Sequence, residues 1–401
     1  MNQVTEAQLA EPLERFASLH AQALRHGGAD LLDMSYPNPR VHRDPRAFGI
    51  LRELLTSTSQ DALQYTPMGG GTVARRRVAS MLRRRFGIPY GYRDVLLTPG
   101  ATAAINVALT ALFRPGDEVL VITPCWMDYF LYLKRLGITA IAVPSTPDKR
   151  LDLQALIKAA GPRTAGVILG QPSCPTGVLH QADELKELAG ALEVIAARSG
   201  LPPLLISDEV HRDQVWGSPA FTSPAQFYPD TLTVYSFGKA WSLQGQRLGY
   251  LAIGPDLRGH DDALVRSERA IRSTGVCAPT ALLQLLIPRI VDLEPDGASL
   301  REDQLALRRV LVDTGYAPVE ADATAFVYAP CPRGATDWEF VTALARHGLL
   351  AMPSSLFHEP GFFRMALNVG SSQFREVARR LSVTHQEITG RPSEACISET
   401  R

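Results

Sequence analysis

The residue best placed for chemistry is Lys239, which closes the apolar run VYSFGK (234–239) and is one of only 5 lysines, against 36 arginines, in 401 residues. A lysine at the end of a buried strand is a candidate for Schiff-base chemistry with a carbonyl compound. Ser236 stands three residues ahead of it, and Arg247 follows in QGQRLGY before the next strand-like run. A hydroxyl and a guanidinium so spaced can reach one phosphate, the arginine by a bidentate contact. The run ISDEV (206–210) ends a second apolar strand on Asp208. A carboxylate there can hold a protonated ring nitrogen and so maintain an electron sink; a helix cap is the structural alternative.

Other segments offer binding groups of the same kind. TPGATAAINVAL (98–109) passes from a strand through a Gly-Ala-Thr turn into a helix. Its backbone N–H groups, the helix N-terminus and the Thr102 hydroxyl would suit a phosphate, although such a turn also serves as a plain cap. In PCWMDYF (124–130), Trp126 lies just past a strand, where its ring can stack on a flat cofactor or fill the core. GQPSCPTG (170–177) is a proline-rich turn carrying Cys174. FFRMALNV (362–369) places Arg364 inside an apolar strand. A buried arginine needs an anion, which a substrate α-carboxylate or a structural carboxylate would supply.

These segments are spaced along an alternating pattern. Helical periodicity marks VARRRVASMLRRRFG, AAINVALTALF, YFLYLKRLG, LDLQALIKAA and ADELKELAGALEVIAARSG. Between them DVLLTPG, EVLVITP, TAIAVP, AGVILGQP, PLLISDE, LTVYSFGK and GYLAIGP read as seven buried strands ending in Gly, Pro, Ser or Asp. The pattern predicts an α/β fold with a mostly parallel seven-stranded sheet sandwiched by helices. In such sheets ligands bind beyond the carboxyl ends of the strands, where every motif above falls. A large domain is expected over 46–285, a smaller α+β C-terminal domain over 286–401, and an N-terminal arm over 1–45 packing on the latter. A long helical stretch is expected from 286.

Composition narrows the class. Apolar residues make up 45%, charged residues 20%, and the formal net charge is zero. That balance argues against nucleic-acid and membrane-surface partners. No run approaches the roughly 18 apolar residues of a membrane span. The first thirty residues lack the basic start and apolar core of a signal peptide. Five scattered cysteines without a CxxC pair argue against a disulfide framework or a metal site and fit a reducing cytoplasm.

In order, Tyr65 in QYTPMGGG, GAT, PCW, PSCPTG, SDEV, SFGK with Arg247, and FFR resemble the class I/II aminotransferase superfamily, fold type I of the pyridoxal 5'-phosphate (PLP) enzymes. The resemblance spans about residues 30–385. It implies that Lys239 is the Schiff-base lysine and catalytic acid/base, that Asp208 pairs with the pyridine nitrogen and that Trp126 stacks on the ring. Ala101, Thr102, Ser236 and Arg247 would bind the phosphate, and Arg364 the substrate carboxylate. It further implies a homodimer with shared sites, Tyr65 reaching the phosphate in the neighbouring subunit.

Two positions depart from the family pattern. Its usual Asn-Pro-Thr-Gly becomes Cys174-Pro175-Thr176-Gly177, and the tyrosine expected three residues after the aspartate is His211. Both usual partners of the cofactor's phenolic oxygen have therefore changed. A thiol is a poor donor, so a raised Schiff-base pKa is expected, with His211 the remaining neighbour. SDEVHRDQVWG and the early turn MSYPNPR (34–40), with Tyr36 as a substrate-binding candidate, also resemble the C–S β-lyase branch. The reading is therefore an aminotransferase-like enzyme acting on an α-amino acid. β-Elimination from an S-substituted cysteine, or decarboxylating or oxidative deamination, are the alternatives. A non-catalytic regulator is disfavoured by the retained Lys239, Asp208 and Arg364.

Overall fold

The computed structural model describes residues 5–39, 42, 44–216 and 220–390. Its centre is a seven-stranded sheet in the order Val95–Thr98, Gly249–Ile253, Thr231–Ser236, Leu204–Asp208, Thr164–Gly170, Glu118–Thr123, Thr139–Pro144. All seven expected strands are there. Neighbours run parallel except around Gly249–Ile253, which is antiparallel to both of its partners. A continuous apolar run does not encode strand direction, so this one reversal was not visible in the sequence.

The runs are apolar throughout because both sheet faces are covered. Along the Glu118–Thr123 strand, Val119 and Val121 join the apolar cluster beneath helices Ala101–Leu112 and His260–Ser273. Leu120 and Ile122 point the other way, into the cluster beneath helix Ala182–Ser199. At the far edge, Val95, Leu97, Tyr235 and Tyr250 pack with helices Pro45–Ser57, Thr72–Phe86 and Ala281–Ile290. Position 285 thus lies inside a helix that packs on the sheet.

The long helical stretch expected from 286 is two helices, Ala281–Ile290 and Ala298–Asp313. Pro295 and Gly297 separate them: proline cannot donate its nitrogen to a helix, and glycine loses the most entropy in one. From Leu300 onward a separate apolar cluster forms around the antiparallel strands Met352–Pro353, Phe362–Ala366 and Phe326–Pro330. The N-terminal helix Glu6–Gly27, opened by a Thr5/Gln8 capping box, buries Phe16 in that cluster. Leu32–Asp33 then pairs with Leu349–Leu350 and delivers residues 34–39 to the mouth of the sheet. Among the described residues no helix is long and apolar enough to cross a membrane. Cys125, Cys174, Cys277 and Cys331 are free thiols, and Cys396 lies outside the described residues.

Candidate active site

The carboxyl ends of the parallel strands open onto a cavity of about 330 Å³. Tyr36, Ala101, Thr102, Trp126, Cys174, Asp208, His211, Ser236, Lys239 and Arg247 all line it. Ten of the twelve residues singled out in the sequence therefore meet on one surface. Arg364 lies behind this wall, and Tyr65 lies outside it, fully exposed.

Arg247 lines the cavity beside the turn at Gly100. Gly100 turns the chain into helix Ala101–Leu112 with φ +84, and a Cβ there would stand 2.6 Å from an Arg247 guanidinium nitrogen. Glycine is thus required both for the left-handed turn and for the arginine's approach. The guanidinium comes to the N-terminus of a twelve-residue helix, whose free N–H groups also favour an anion. Ser236, on the last residue of its strand, and Thr102, in the helix's first turn, join the same lining.

Lys239 follows in the short helix Phe237–Ala240. Burial, with the charges of Arg364 and Arg247, lowers its pKa to about 8 against the opposing pull of Cys174 and Asp208. A neutral amine is therefore accessible near physiological pH, as proton abstraction requires. Asp208 is buried at the end of its strand; Tyr129 Oη donates to its Oδ2 at 2.5 Å and the Val210 amide to Oδ1 at 3.2 Å. Burial nonetheless raises the Asp208 pKa, with these bonds and Lys239 opposing. The site thus holds a carboxylate short of a cation.

His211 packs its ring edge-on to Phe326, with centroids 5.2 Å apart. Its Nδ1 lies 2.8 Å from Gln214 Oε1. Burial and Lys239 push its pKa down to about 3, so the ring is neutral at ordinary pH. The Cys174 thiol has its pKa raised by burial, while Arg364 and Lys239 beside it act in the opposite direction.

Arg364 is completely buried between the rings of Phe326 and Phe357, 4.4 and 4.8 Å from its guanidinium carbon. Its Nη2 donates to the Ser35 carbonyl and lies against Met352 Sδ, each at 2.8 Å; the Cys174 thiol is beside the guanidinium, and among the described residues Nε and Nη1 have no hydrogen-bond partner. The structural-carboxylate alternative is not realised among the described residues. Tyr36, near enough to interact with the charge of this arginine, is held by Asn368, whose Nδ2 donates to the carbonyls of Asp33 and Tyr36 at 2.9 and 2.6 Å.

Three contributors escaped the sequence reading: Tyr129, Gln214 and Asn368. Tyr129 sits three residues beyond Trp126 in the same quoted run, but nothing local says that it meets a carboxylate 79 positions away. Asn368 lies two residues past the Arg364 strand, and its amide inventory was a usable hint.

Comparison with known proteins agrees with this geometry. The family profile "Aminotransferase class I and II" matches residues 39–381. A Mycobacterium tuberculosis protein described as a probable N-succinyldiaminopimelate aminotransferase is 32% identical over 326 residues, covering 76% of this chain and 79% of that one. A probable aspartate/prephenate aminotransferase of Aquifex aeolicus is 25% identical over 383 residues, covering 92% and 94%. The crystal structure of an aminotransferase from Eubacterium rectale superposes with a TM-score of 0.87 at 24% identity, over 94% of this chain and 96% of that one. The strand-end cavity with its lysine, the profile over most of the length and these relatives give one result: the chain belongs to the class I and II aminotransferase family and is an aminotransferase.

Proposed function

We propose that this aminotransferase works with pyridoxal 5'-phosphate held at Lys239 and takes the amino group from an α-amino acid bound through its carboxylate to Arg364. The observation that carries the reading is Arg364 itself, fully buried, with Nε and Nη1 unpartnered among the described residues and no carboxylate against it, only the neutral Cys174 thiol. Leaving a buried guanidinium half-satisfied is costly unless a ligand completes it. A carboxylate matches its fork. The residues also fit the cofactor. The turn that only glycine at 100 permits, closed by Arg247, suits a phosphate, and Asp208 suits a cationic ring nitrogen.

Bound there, PLP supplies an electron sink for charge developed at the substrate's α-carbon. The chain's own residues do the rest. Arg364 orients the substrate, with Tyr36 and Trp126 flanking it. Lys239 Nζ, neutral in part at physiological pH, takes the α-proton and can return it. Asp208, steadied by Tyr129, keeps the ring nitrogen protonated. Ser236, Thr102, the Ala101 amide and Arg247 hold the phosphate.

We extend the proposal to a homodimer working in the cytoplasm. Phe48, Leu55, Leu63, Tyr65 and Val73 are exposed over one stretch of chain, apolar side chains that a second copy would cover. Tyr65 is then free to reach the partner's site. The free thiols suit a reducing compartment.

The test is a product assay. PLP-loaded protein is incubated with amino acids, including aspartate, N-succinyldiaminopimelate and S-alkylcysteines, with and without a keto-acid acceptor. New amino acid formed only with the acceptor supports transamination. Thiol, pyruvate and ammonia released without an acceptor would overturn it in favour of β-elimination, and oxygen uptake would point to oxidative chemistry.

A further inference from the structure

Gln214 ties together the two residues on either side of it in the site. Its Oε1 lies 2.8 Å from His211 Nδ1, and its Nε2 donates to the Lys239 carbonyl at 3.2 Å. Its backbone is pinned as well: its N–H donates to the His211 carbonyl and its carbonyl accepts from Thr324 N–H, both at 2.8 Å. Gln214 is itself buried.

This arrangement determines where the imidazole proton sits. An amide side chain has one accepting end and one donating end, and a backbone carbonyl can only accept. The Lys239 carbonyl therefore takes the Gln214 amide nitrogen, which leaves Oε1, an acceptor, facing His211. The reverse orientation would set oxygen against oxygen at Lys239. Nδ1 must then be the protonated nitrogen. The ring is neutral, so Nε2 is bare. It has no partner among the described residues, and His211 lines the cavity whereas Gln214 does not.

We propose that Gln214 is a positioning residue that locks His211 as its Nδ1–H tautomer and so presents Nε2 to the cavity as a hydrogen-bond acceptor. Any group seated against it must bring a proton of its own. His211 stands where the family has a donor tyrosine, and the geometry gives it the opposite polarity. Where PLP is the ligand, which rests on the function proposed above and on the family resemblance that sets position 211 beside the phenolic oxygen, that oxygen is favoured as a neutral hydroxyl over a phenolate. An acceptor facing an anion gains nothing, whereas an acceptor facing O–H makes a bond.

The experiment is nitrogen-15 NMR of histidine-labelled protein, first without cofactor and then loaded with PLP. The two ring nitrogens of a neutral imidazole are well separated in shift and report the tautomer directly. His211→Asn assigns the signal by its loss, and if that variant does not fold, through-bond correlation to the residue-211 backbone assigns it instead. The expected result is a protonated Nδ1 and a bare Nε2 at neutral pH. Gln214→Leu should move the tautomer ratio about fivefold toward Nε2–H, the worth of one hydrogen bond. In the loaded protein the same variant should raise the visible phenolate band at the expense of the near-ultraviolet one.

A wild-type His211 protonated mainly on Nε2 would overturn the proposal, as would a tautomer ratio unmoved by Gln214→Leu. If that variant fails to fold, the wild-type spectrum decides alone. Failure to take up PLP would sink the function proposed above, while the cofactor-free spectrum would still decide the tautomer.

Discussion

Tyr129 Oη donates to the Asp208 carboxylate across 2.5 Å, in a buried pair that joins the first turn of helix Tyr129–Arg135 to the end of strand Leu204–Asp208. Hydrogen bonding to the ionised form is what lets a buried carboxylate keep its charge. Tyr129→Phe removes that donor with little change in volume. One charge-assisted bond is worth about 1.5–3 kcal/mol, so kcat/KM should fall roughly tenfold or more, with weaker cofactor retention. Steady-state kinetics and a PLP titration check this; an unchanged rate would make the tyrosine a packing residue only.

Asp208 also carries a stability cost that the cofactor should relieve. Burial raises its pKa in the cofactor-free protein. A folded-state pKa above the unfolded one means that the native state prefers the protonated acid. The associated stability is present at low pH and lost as pH rises through the raised value. Asp208→Asn, which cannot ionise, should therefore raise the melting temperature of cofactor-free protein at neutral pH, by about one degree for each kcal/mol relieved in a chain of this length. It should lower the melting temperature of PLP-loaded protein, where a ring cation would pair with the carboxylate. The same direction in both forms would rule out a charge partnership.

Arg364 is a cation awaiting its anion, since among the described residues Nε and Nη1 are unpartnered while Nη2 is spent on Ser35 and Met352. Lysine keeps the charge but has no fork with which to grip a carboxylate. Arg364→Lys should raise KM for the amino acid at least about tenfold, since a charge-assisted bond of about 1.5–3 kcal/mol is lost. It should leave PLP affinity near that of the wild type, because Arg364 faces the substrate in the proposed arrangement. A variant that lost cofactor and substrate equally would argue that Arg364 only supports the fold.

Much of this site could be read before any coordinates. Apolar runs such as EVLVIT and LLISD, covered on both faces, have a signature of their own, and their last residues are where an α/β sheet presents functional groups. Lys239, Asp208, Ser236 and Trp126 stood out because each directly follows or ends such a run. The missing information was long-range or orientational. Tyr129 meets Asp208 and Asn368 holds residues 33–36 only once distant segments are packed together. The polarity of His211 depends on which end of the Gln214 amide faces the Lys239 carbonyl, and no residue spacing expresses that.

Cys174 offers the most direct test of how far this chain departs from its relatives. Burial keeps its sulfur protonated, and a thiol donates weakly. The family motif has asparagine at this position, with an amide N–H to offer the phenolic oxygen. Cys174→Asn should restore that donor and stabilise the phenolate. A Schiff base facing a stabilised phenolate holds its proton less tightly, because the neutral imine form with its phenolate is the one being favoured. Its pKa should fall by about one unit, the equivalent of one net hydrogen bond. A spectral pH titration of the PLP-loaded protein reads this midpoint without turnover. If the wild-type midpoint already equals that of ordinary aminotransferases, or if Cys174→Asn leaves it in place, then the thiol and His211 together stabilise the phenolate as well as the usual pair does.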